Sequence, residues 1–240
     1  MKLDVLAFAA HRDDLEITCG GTLAKLVEQG HTVGACDLTE GEMGTRGSAE
    51  ERAAEAEEAA RILGLKVRVN AGLPDAGLFN TREQQLRVIE VLRRHKPAVV
   101  ILPALEQRHP DHAACPRIVF DACYFGGLAK FPDLKHEPAR AHRPRKIVWV
   151  HTHYTTAPPT FVVNVSDQIK KKLASVMAYK SQFPDKAEKD KTPPREQIED
   201  WIRSRGRAYG LMVGKTYGEG FIQRETIEVD DVATLTGSSM

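Results

Sequence analysis

Several features that mark other classes of protein are scarce or missing in this sequence. Four cysteines in 240 residues form no CxxC pair, which argues against a disulfide framework or a cysteine-rich metal site, so we interpret them as reduced, mostly buried thiols. No apolar run approaches the roughly 18 residues of a membrane-spanning helix. Lysine and arginine number 34 against 33 aspartates and glutamates, so no excess of one charge points to nucleic acid or a membrane surface.

Signals for export and for nucleotide binding are also missing. The N-terminus enters an apolar stretch without the basic start and long apolar core of a signal peptide, which predicts a cytoplasmic location. There is no GxGxxG or P-loop pattern, so Gly20-Gly21 is expected to serve close helix–sheet packing rather than phosphate binding. The basic stretch 135–146 contains prolines, an internal Glu137 and no aromatic residue, which favours a solvated loop over a nucleic-acid patch.

Strand-like and helix-like segments alternate through the first half of the chain. The predicted strands are Leu3–Ala10, Thr32–Leu38, Lys66–Asn70 and Ala98–Pro103. The predicted helices are Gly20–Gln29, Ser48–Leu63, Arg82–His95 and Asp111–Tyr124. Apolar strands alternating with helices predict an α/β fold, a Rossmann-like doubly wound and mainly parallel sheet with helices on both faces.

The second half is less regular. Strands are predicted at Lys146–His151 and Thr160–Val165, and helices from Ser166 or Asp167 to about Tyr179 and over Glu196–Met212. An exposed loop is expected at Phe183–Pro194, and a small, polar, disordered tail at about 233–240. No repeat or long linker is present, so residues 1–240 are predicted to form a single domain.

Two histidine–aspartate clusters follow predicted strands. His11-Arg12-Asp13-Asp14 comes after the first strand and His109-Pro110-Asp111-His112 after the fourth. The common doubly wound order places these two strands side by side, and ligands bind beyond their carboxyl ends. Either cluster alone has a structural interpretation, since paired aspartates often cap a helix. Together at one crevice they favour a metal site.

These residue types suit metal-assisted hydrolysis of an amide or ester. His11, Asp14 and His112 provide three ligands for a divalent metal, and a catalytic zinc site keeps a further position open. Asp13 would be a carboxylate beside the metal that can accept a proton from water. His109 could stabilise an oxyanion or protonate a leaving amine, with Asp111 orienting the imidazole as in a catalytic triad.

The chain resembles the PIG-L/LmbE-like family of metal-dependent sugar N-deacetylases, whose motifs are AHPDD and HPDH. Within the family it is most similar to the bacillithiol-pathway branch, N-acetylglucosaminyl-malate deacetylase. The branch resemblance rests on Asp37–Thr39, Glu42–Gly47, Leu73–Asp75, Arg108, Thr155–Pro159, Tyr179–Phe183 and Gly218–Phe221.

The resemblance implies roles for individual residues. It implies His11, Asp14 and His112 as zinc ligands, Asp13 as general base, and His109, backed by Asp111, as acid and oxyanion stabiliser. Arg52 would contact substrate, although an exposed helix residue pairing with Glu55 is the structural alternative. Arg46 and Arg108 could clamp the malate carboxylates, or form surface salt bridges. A homo-oligomer is implied, with a hexamer as one candidate.

Two positions depart from the family pattern. Arg12 stands where the motif usually has proline, which would loosen the turn that holds two ligands and bring a cation near the metal. There it could weaken metal binding or help to hold an anionic substrate. Asn164 stands where the branch more often has aspartate, away from both clusters.

The sequence leads to three functional hypotheses. The leading hypothesis is zinc-dependent deacetylation of an N-acetylglucosamine conjugate, N-acetylglucosaminyl-malate first. The second is deacetylation of another N-acetyl sugar, such as an antibiotic precursor or a chitobiose-like oligomer. The third is a Rossmann-like nucleotide-binding module without catalysis. Fe²⁺ and other divalent metals also suit histidine and aspartate ligands. His151 and His153 end a predicted strand, where they could line the crevice or be structural.

Overall fold

The computed structural model describes residues 1–131, 140–184 and 193–234. The strands are β1 (Val5–Ala9), β2 (Val33–Thr39), β3 (Val67–Leu73), β4 (Val99–Leu102), β5 (Lys146–Val150), β6 (Phe161–Asn164) and β7 (Gly218–Ile222). The helices are α1 (Asp14–Glu28), α2 (Ala49–Leu63), α3 (Arg82–His95), α4 (Pro110–Gly126), α5 (Ile169–Val176) and α6 (Arg195–Met212). No helix within these ranges is long and apolar enough to cross a membrane.

The described strands form one sheet in the order β3-β2-β1-β4-β5-β7-β6. β1 pairs in parallel with β2 and with β4, and Val5 lies opposite Val99 in the second pairing. β1 and β4, the strands that precede the two histidine–aspartate motifs, are therefore adjacent, as predicted. Because they run in parallel, both motifs lie at the same edge of the sheet. The predicted α/β fold with a mainly parallel sheet is confirmed.

Side chains of β1 are buried on both faces of the sheet, which explains its unbroken apolar sequence. Leu6 and Phe8 pack into one core with residues of α3 and α4. Ala7 and Ala9 pack into the other, with residues of α1 such as Leu23. The sheet is therefore covered on both sides, as the alternation of strands and helices predicts.

Local signals explain the boundaries of α2 but not the start of α1. Ser48 caps α2 by accepting a hydrogen bond from the Glu51 amide, and Gly64 ends it with a left-handed φ of 79°. The predicted start of the first helix at Gly20 is wrong, because α1 begins at Asp14 and continues through a kink at Cys19. Asp14 is thus both a candidate metal ligand and the first residue of α1.

The sequence patterns did not predict β7. It pairs antiparallel with both β5 and β6, and its two glycines and one glutamate give no strand pattern. A Cβ at Gly218 would lie 2.5 Å from Val162 Cγ1, and one at Gly220 would lie 2.6 Å from the Tyr209 ring. Close approach between neighbouring elements, rather than strand propensity, explains these glycines.

Some predicted segments lie partly outside the described residues. These are positions 135–139 of the basic stretch, 185–192 of the predicted loop and 235–240 of the predicted tail. The fifth helix is shorter than predicted, since α5 ends at Val176 with Gln168 as its N-cap residue.

Candidate active site

Three predicted metal ligands converge where β1 and β4 end. His11 follows β1, Asp14 opens α1 and His112 lies in the first turn of α4. His11 Nδ1 lies 3.0 Å from His112 Nε2 and 3.6 Å from Asp14 Oδ2. His112 Nε2 lies 3.2 Å from Asp14 Oδ1. Two motifs that are distant in sequence thus supply one compact triangle of donor atoms.

The dimensions of this triangle fit a small divalent metal. Zinc with bonds of about 2.0–2.2 Å and tetrahedral geometry holds its ligand atoms about 3.3–3.6 Å apart. The two histidine nitrogens lie 3.0 Å apart. Asp14 Oδ1 lies 3.2 Å from His112 and Asp14 Oδ2 lies 3.6 Å from His11, so the separations lie within about 0.3 Å of that range. Two imidazoles and one carboxylate suit zinc and also ferrous iron. The residues present therefore fit a divalent metal, and the donor set leaves its identity open.

The electrostatic field of the site also favours a cation. Burial alone would lower the pKa of His11, but the hydrogen bond and charge of Asp14, together with the charges of Asp75 and Asp13, outweigh burial and raise it to about 9. The His112 pKa is likewise raised by Asp14, against the opposing effect of burial. The carboxylates thus attract positive charge to the point where the donor atoms meet, which is what a metal site requires.

Asp75 holds the far side of the His11 ring. Its Oδ1 lies 3.0 Å from His11 Nε2, and its Oδ2 accepts a hydrogen bond of 2.9 Å from the Met43 amide. A carboxylate that accepts a hydrogen bond from Nε2–H leaves Nδ1 free to bind a metal and fixes the ring orientation. Sequence reasoning did not single out Asp75 as a site residue. Its sequence signal was the segment Leu73–Asp75, which carries part of the branch resemblance but was given no role in the site.

Asp13 lies at the edge of the metal cluster beside Arg52. The shortest distance between the two charged groups is 3.7 Å, from Arg52 Nη2 to Asp13 Oδ1. Burial and the neighbouring Asp14 carboxylate raise the pKa of Asp13, while Arg52 opposes that shift. A raised carboxylate pKa brings the group closer to the range useful for a general base.

Arg52 is a buried residue of the site. It is 4% exposed, and its Nη1 donates a hydrogen bond of 2.9 Å to the Gly41 carbonyl. The structural alternative, an exposed arginine pairing with Glu55, is therefore wrong; Glu55 instead accepts hydrogen bonds from Ser181. Arg52 lines the same cleft as Asp13 and His11.

His109 and Asp111 differ from the expected triad geometry. Asp111 is 2% exposed, and its carboxylate accepts hydrogen bonds from the Ala76 and Leu78 amides and lies 3.5 Å from His11 Nε2. His109 Nδ1 accepts a hydrogen bond from the Asp111 amide. The neutral His109 ring therefore carries its proton on Nε2, and burial lowers its pKa, as do the nearby His112 and His11.

The other predicted substrate arginines do not line the described cleft. Arg46 and Arg108 are not among the described residues that line it; Arg46 is half-buried and Arg108 exposed. Arg12 does not line it either, because its guanidinium donates to the Ala49 carbonyl at 2.5 Å. The Arg12 guanidinium, which stands where the family motif usually has proline, is thus directed to the start of α2 rather than toward the candidate metal ligands.

The turn at Arg12 is held by a buried polar network. The Arg12 carbonyl accepts hydrogen bonds from Arg68, at 2.5 Å, and from the Tyr179 hydroxyl. Arg68 also donates to Asp37 and to Glu16. Side chains from β2, β3 and the segment after α5 therefore restrain the turn between the ligands His11 and Asp14.

The histidines after β5 have different surroundings. Both ring nitrogens of His151 have partners at 2.7 Å, the Tyr209 hydroxyl and the Ala157 carbonyl, so this histidine is structural. His153 lines a cavity that reaches Asp14 and His112. Burial lowers the pKa of His153, as do the charges of Arg205 and Arg108.

Comparisons with known proteins identify the family. Residues 6–123 match the PIG-L model for GlcNAc-PI de-N-acetylases. Over 226 residues the chain is 32% identical to the diacetylchitobiose deacetylase of Thermococcus kodakarensis, a match that covers 90% of this chain and 81% of the relative. The chain belongs to the PIG-L family.

Solved structures extend the PIG-L similarity across the whole fold. The conserved protein TT1542 of Thermus thermophilus has a TM-score of 0.84 and 38% identity, over 95% of this chain and 98% of that one. The N,N'-diacetylchitobiose deacetylase of Pyrococcus horikoshii, complexed with an inhibitor, has a TM-score of 0.79 and 31% identity, over 91% and 82%. The predicted family and the prediction of an N-deacetylase enzyme are confirmed.

Proposed function

We propose that this PIG-L protein hydrolyses the N-acetyl group of a small N-acetylglucosamine conjugate. The observation that carries the proposal is the triangle of His11, Asp14 and His112, with Asp13 at its edge, in an open cleft of about 470 Å³. Deacetylation of a related sugar by two relatives supports it.

A divalent metal held by His11, Asp14 and His112 would supply Lewis acidity to the amide carbonyl and to water. Asp13 takes a proton from the attacking water, and its raised pKa suits that task. Arg52 keeps the Asp13 carboxylate in place through its charge. His109 donates from Nε2 to the developing oxyanion or to the leaving nitrogen. Asp111 anchors the loop after β3 and faces His11, so we assign it a positioning role.

The sugar is proposed to lie on the polar side of the cleft. Asp75, Arg52 and the backbone around Gly44 line that side. The Asp75 carboxylate is already engaged by His11 and by the Met43 amide, so Arg52 Nη2, which lies 3.7 Å from Asp13, is the donor that we propose for a sugar hydroxyl. A hydroxylated ring is thus better matched to this surface than an apolar group.

Two conjugates deserve direct comparison. N-acetylglucosaminyl-malate, the leading sequence hypothesis, carries two carboxylates, but among the described cleft residues Arg52 is the one arginine. N,N'-diacetylchitobiose is supported by the activity named for two relatives. We therefore treat both as candidate substrates of equal standing. The cytoplasmic location and the homo-oligomer remain predictions.

The test is acetate release from both conjugates by zinc-loaded and by chelator-treated protein. We expect release that the chelator abolishes and added zinc restores. Faster turnover of the malate conjugate would favour the malate hypothesis, and faster turnover of diacetylchitobiose the alternative. No acetate from either, with protein shown to contain metal, would contradict the proposed function.

A further inference from the structure

A second cavity meets the cleft at the metal ligands. It measures about 180 Å³, and it shares Asp14, Ile17 and His112 with the cleft. Asp13, Arg52 and Asp75 line the cleft and do not line this cavity. The cleft and the second cavity therefore share three lining residues and differ in all the others.

The floor of the second cavity is apolar. It is formed by Phe8 and Ala9 at the end of β1, Leu15 in α1 and Val150 at the end of β5, and all four are at most 2% exposed. These side chains offer no hydrogen-bond partner, so an apolar group gains more from this floor than a sugar hydroxyl does.

Polar side chains in the wall are largely engaged by the protein itself. The Thr18 hydroxyl donates to the Asp14 carbonyl at 2.6 Å, and Arg205 donates to the His151 carbonyl at 2.6 Å. The Thr152 hydroxyl lies 3.5 Å from that of Thr155. These contacts engage part of the polar wall, whereas Gln107, His153 and Tyr154 line the rest of it. The apolar character of the cavity therefore lies in its floor, next to Asp14 and His112.

The volume exceeds what an acetyl group needs. A water molecule takes about 30 Å³ in the liquid, and the methyl of an acetyl group is of similar size. The cavity of about 180 Å³ therefore has room for an acyl chain of about four to six carbons. In an amide substrate whose carbonyl lies at the metal ligands, the sugar and the acyl chain extend in different directions from the carbonyl. The cleft can then hold the sugar, and the second cavity can hold the acyl chain.

We propose that this cavity is an acyl pocket and that the enzyme hydrolyses N-acyl sugars with chains longer than acetyl. The inference rests on the proposed function and deepens it. In the reaction the oxygen of one water bonds to the acyl carbon and the amide C–N bond breaks. The nitrogen takes a proton, and the products are a short-chain carboxylate and the free amino sugar.

The test uses glucosamine and chitobiose acylated with acetyl, propionyl, butyryl or hexanoyl groups, with release of the primary amine measured on zinc-loaded protein. Each buried methylene should raise kcat/KM by up to about fourfold until the pocket is full. The result expected is a butyryl substrate at least as good as the acetyl one. A tenfold or greater fall from acetyl to propionyl and butyryl would overturn the acyl pocket while leaving the proposed deacetylase intact. Hydrolysis of none, acetyl included, would overturn both.

A pair of variants tests the location of the acyl chain. Gln107→Trp places a bulky ring in the wall of the pocket, and Gln197→Trp makes the same change on an exposed part of α6. We expect Gln107→Trp to lower the butyryl-to-acetyl ratio of kcat/KM at least fivefold and Gln197→Trp to leave that ratio unchanged. An unchanged ratio in folded Gln107→Trp protein would contradict the assignment of this cavity to the acyl chain.

Discussion

At the scale of residues, the site combines three proposed metal ligands with groups that restrain them. Asp75 fixes the outer nitrogen of His11, while Arg68 and Tyr179 hold the carbonyl of Arg12 between two ligands. Groups of this kind affect metal affinity without touching the metal, because they determine where the ligand atoms point. The turn at Arg12, where the family motif usually has proline, is thus restrained through its carbonyl.

Asp13→Asn tests the general base. The amide keeps nearly the same shape but cannot accept a proton from water, so we expect metal content to stay unchanged and kcat to fall by about 10²–10⁴-fold. Metal analysis and initial rates on the same preparations measure both. Asp200→Asn, on an exposed part of α6, is the matched control and should keep full activity. Near-normal turnover by Asp13→Asn would remove Asp13 as the base.

Tyr179→Phe tests the restraint on the ligand turn. It removes one donor to the Arg12 carbonyl, and we expect zinc affinity to fall by about tenfold and the free energy of unfolding by about 1–2 kcal/mol. Competition with a chromophoric chelator and urea unfolding measure these quantities. Tyr124→Phe is the control, because Tyr124 is 57% exposed. Equal zinc affinities in both variants would show that the hydroxyl does not position the ligands.

At the scale of elements, α1 connects the site to the antiparallel part of the sheet. It begins at the proposed ligand Asp14 and approaches β7 so closely that Glu219 accepts hydrogen bonds from the Gly21 and Thr22 amides. Lys172 of α5 donates to the same carboxylate at 2.5 Å. A buried ion pair and two backbone bonds therefore fix where this helix lies relative to the sheet.

Two neighbouring glycines in α1 give a matched test of this packing. A Cβ at Gly21 would lie 2.9 Å from Val165 Cβ, whereas one at Gly20 would have its nearest contact at 3.5 Å. We expect Gly21→Ala to lower the free energy of unfolding by about 1–3 kcal/mol. Gly20→Ala should be neutral or stabilising by up to about 1 kcal/mol. Urea unfolding measures both, and equal stabilities would refute close packing at Gly21.

At the scale of the whole molecule, the proposed metal site connects distant parts of the chain. His11 and His112 are 101 residues apart in sequence, and their loops leave adjacent strands of one sheet. A metal bound by both loops binds the folded state alone, because the unfolded chain does not hold the three ligands together. Metal binding is therefore linked to stability.

Removal of metal should lower thermal stability. Zinc at 100 times its Kd is expected to add about 2.7 kcal/mol to the free energy of unfolding, which raises Tm by several degrees for a chain of this size. Thermal unfolding with zinc and with chelator measures the difference. Asp14→Ala, which lacks one ligand, should show a much smaller shift. The same Tm for the original chain with and without zinc would contradict a metal site shared by the two loops.

Local patterns alone predicted the parallel part of the sheet, the adjacency of β1 and β4, and the residues His11, Asp14 and His112. Apolar runs that alternate with helices are typical of buried parallel strands. The common strand order of doubly wound folds then places β1 beside β4, with ligands beyond their carboxyl ends. Tertiary structure decided what no local pattern encodes. The position of β7 depends on pairing and on glycine contacts with β6 and α6. The partners of Asp75 and Asp111, the burial of Arg52 and the cavity beside the ligands each require segments distant in sequence to come together, and only the packed fold determines those distances.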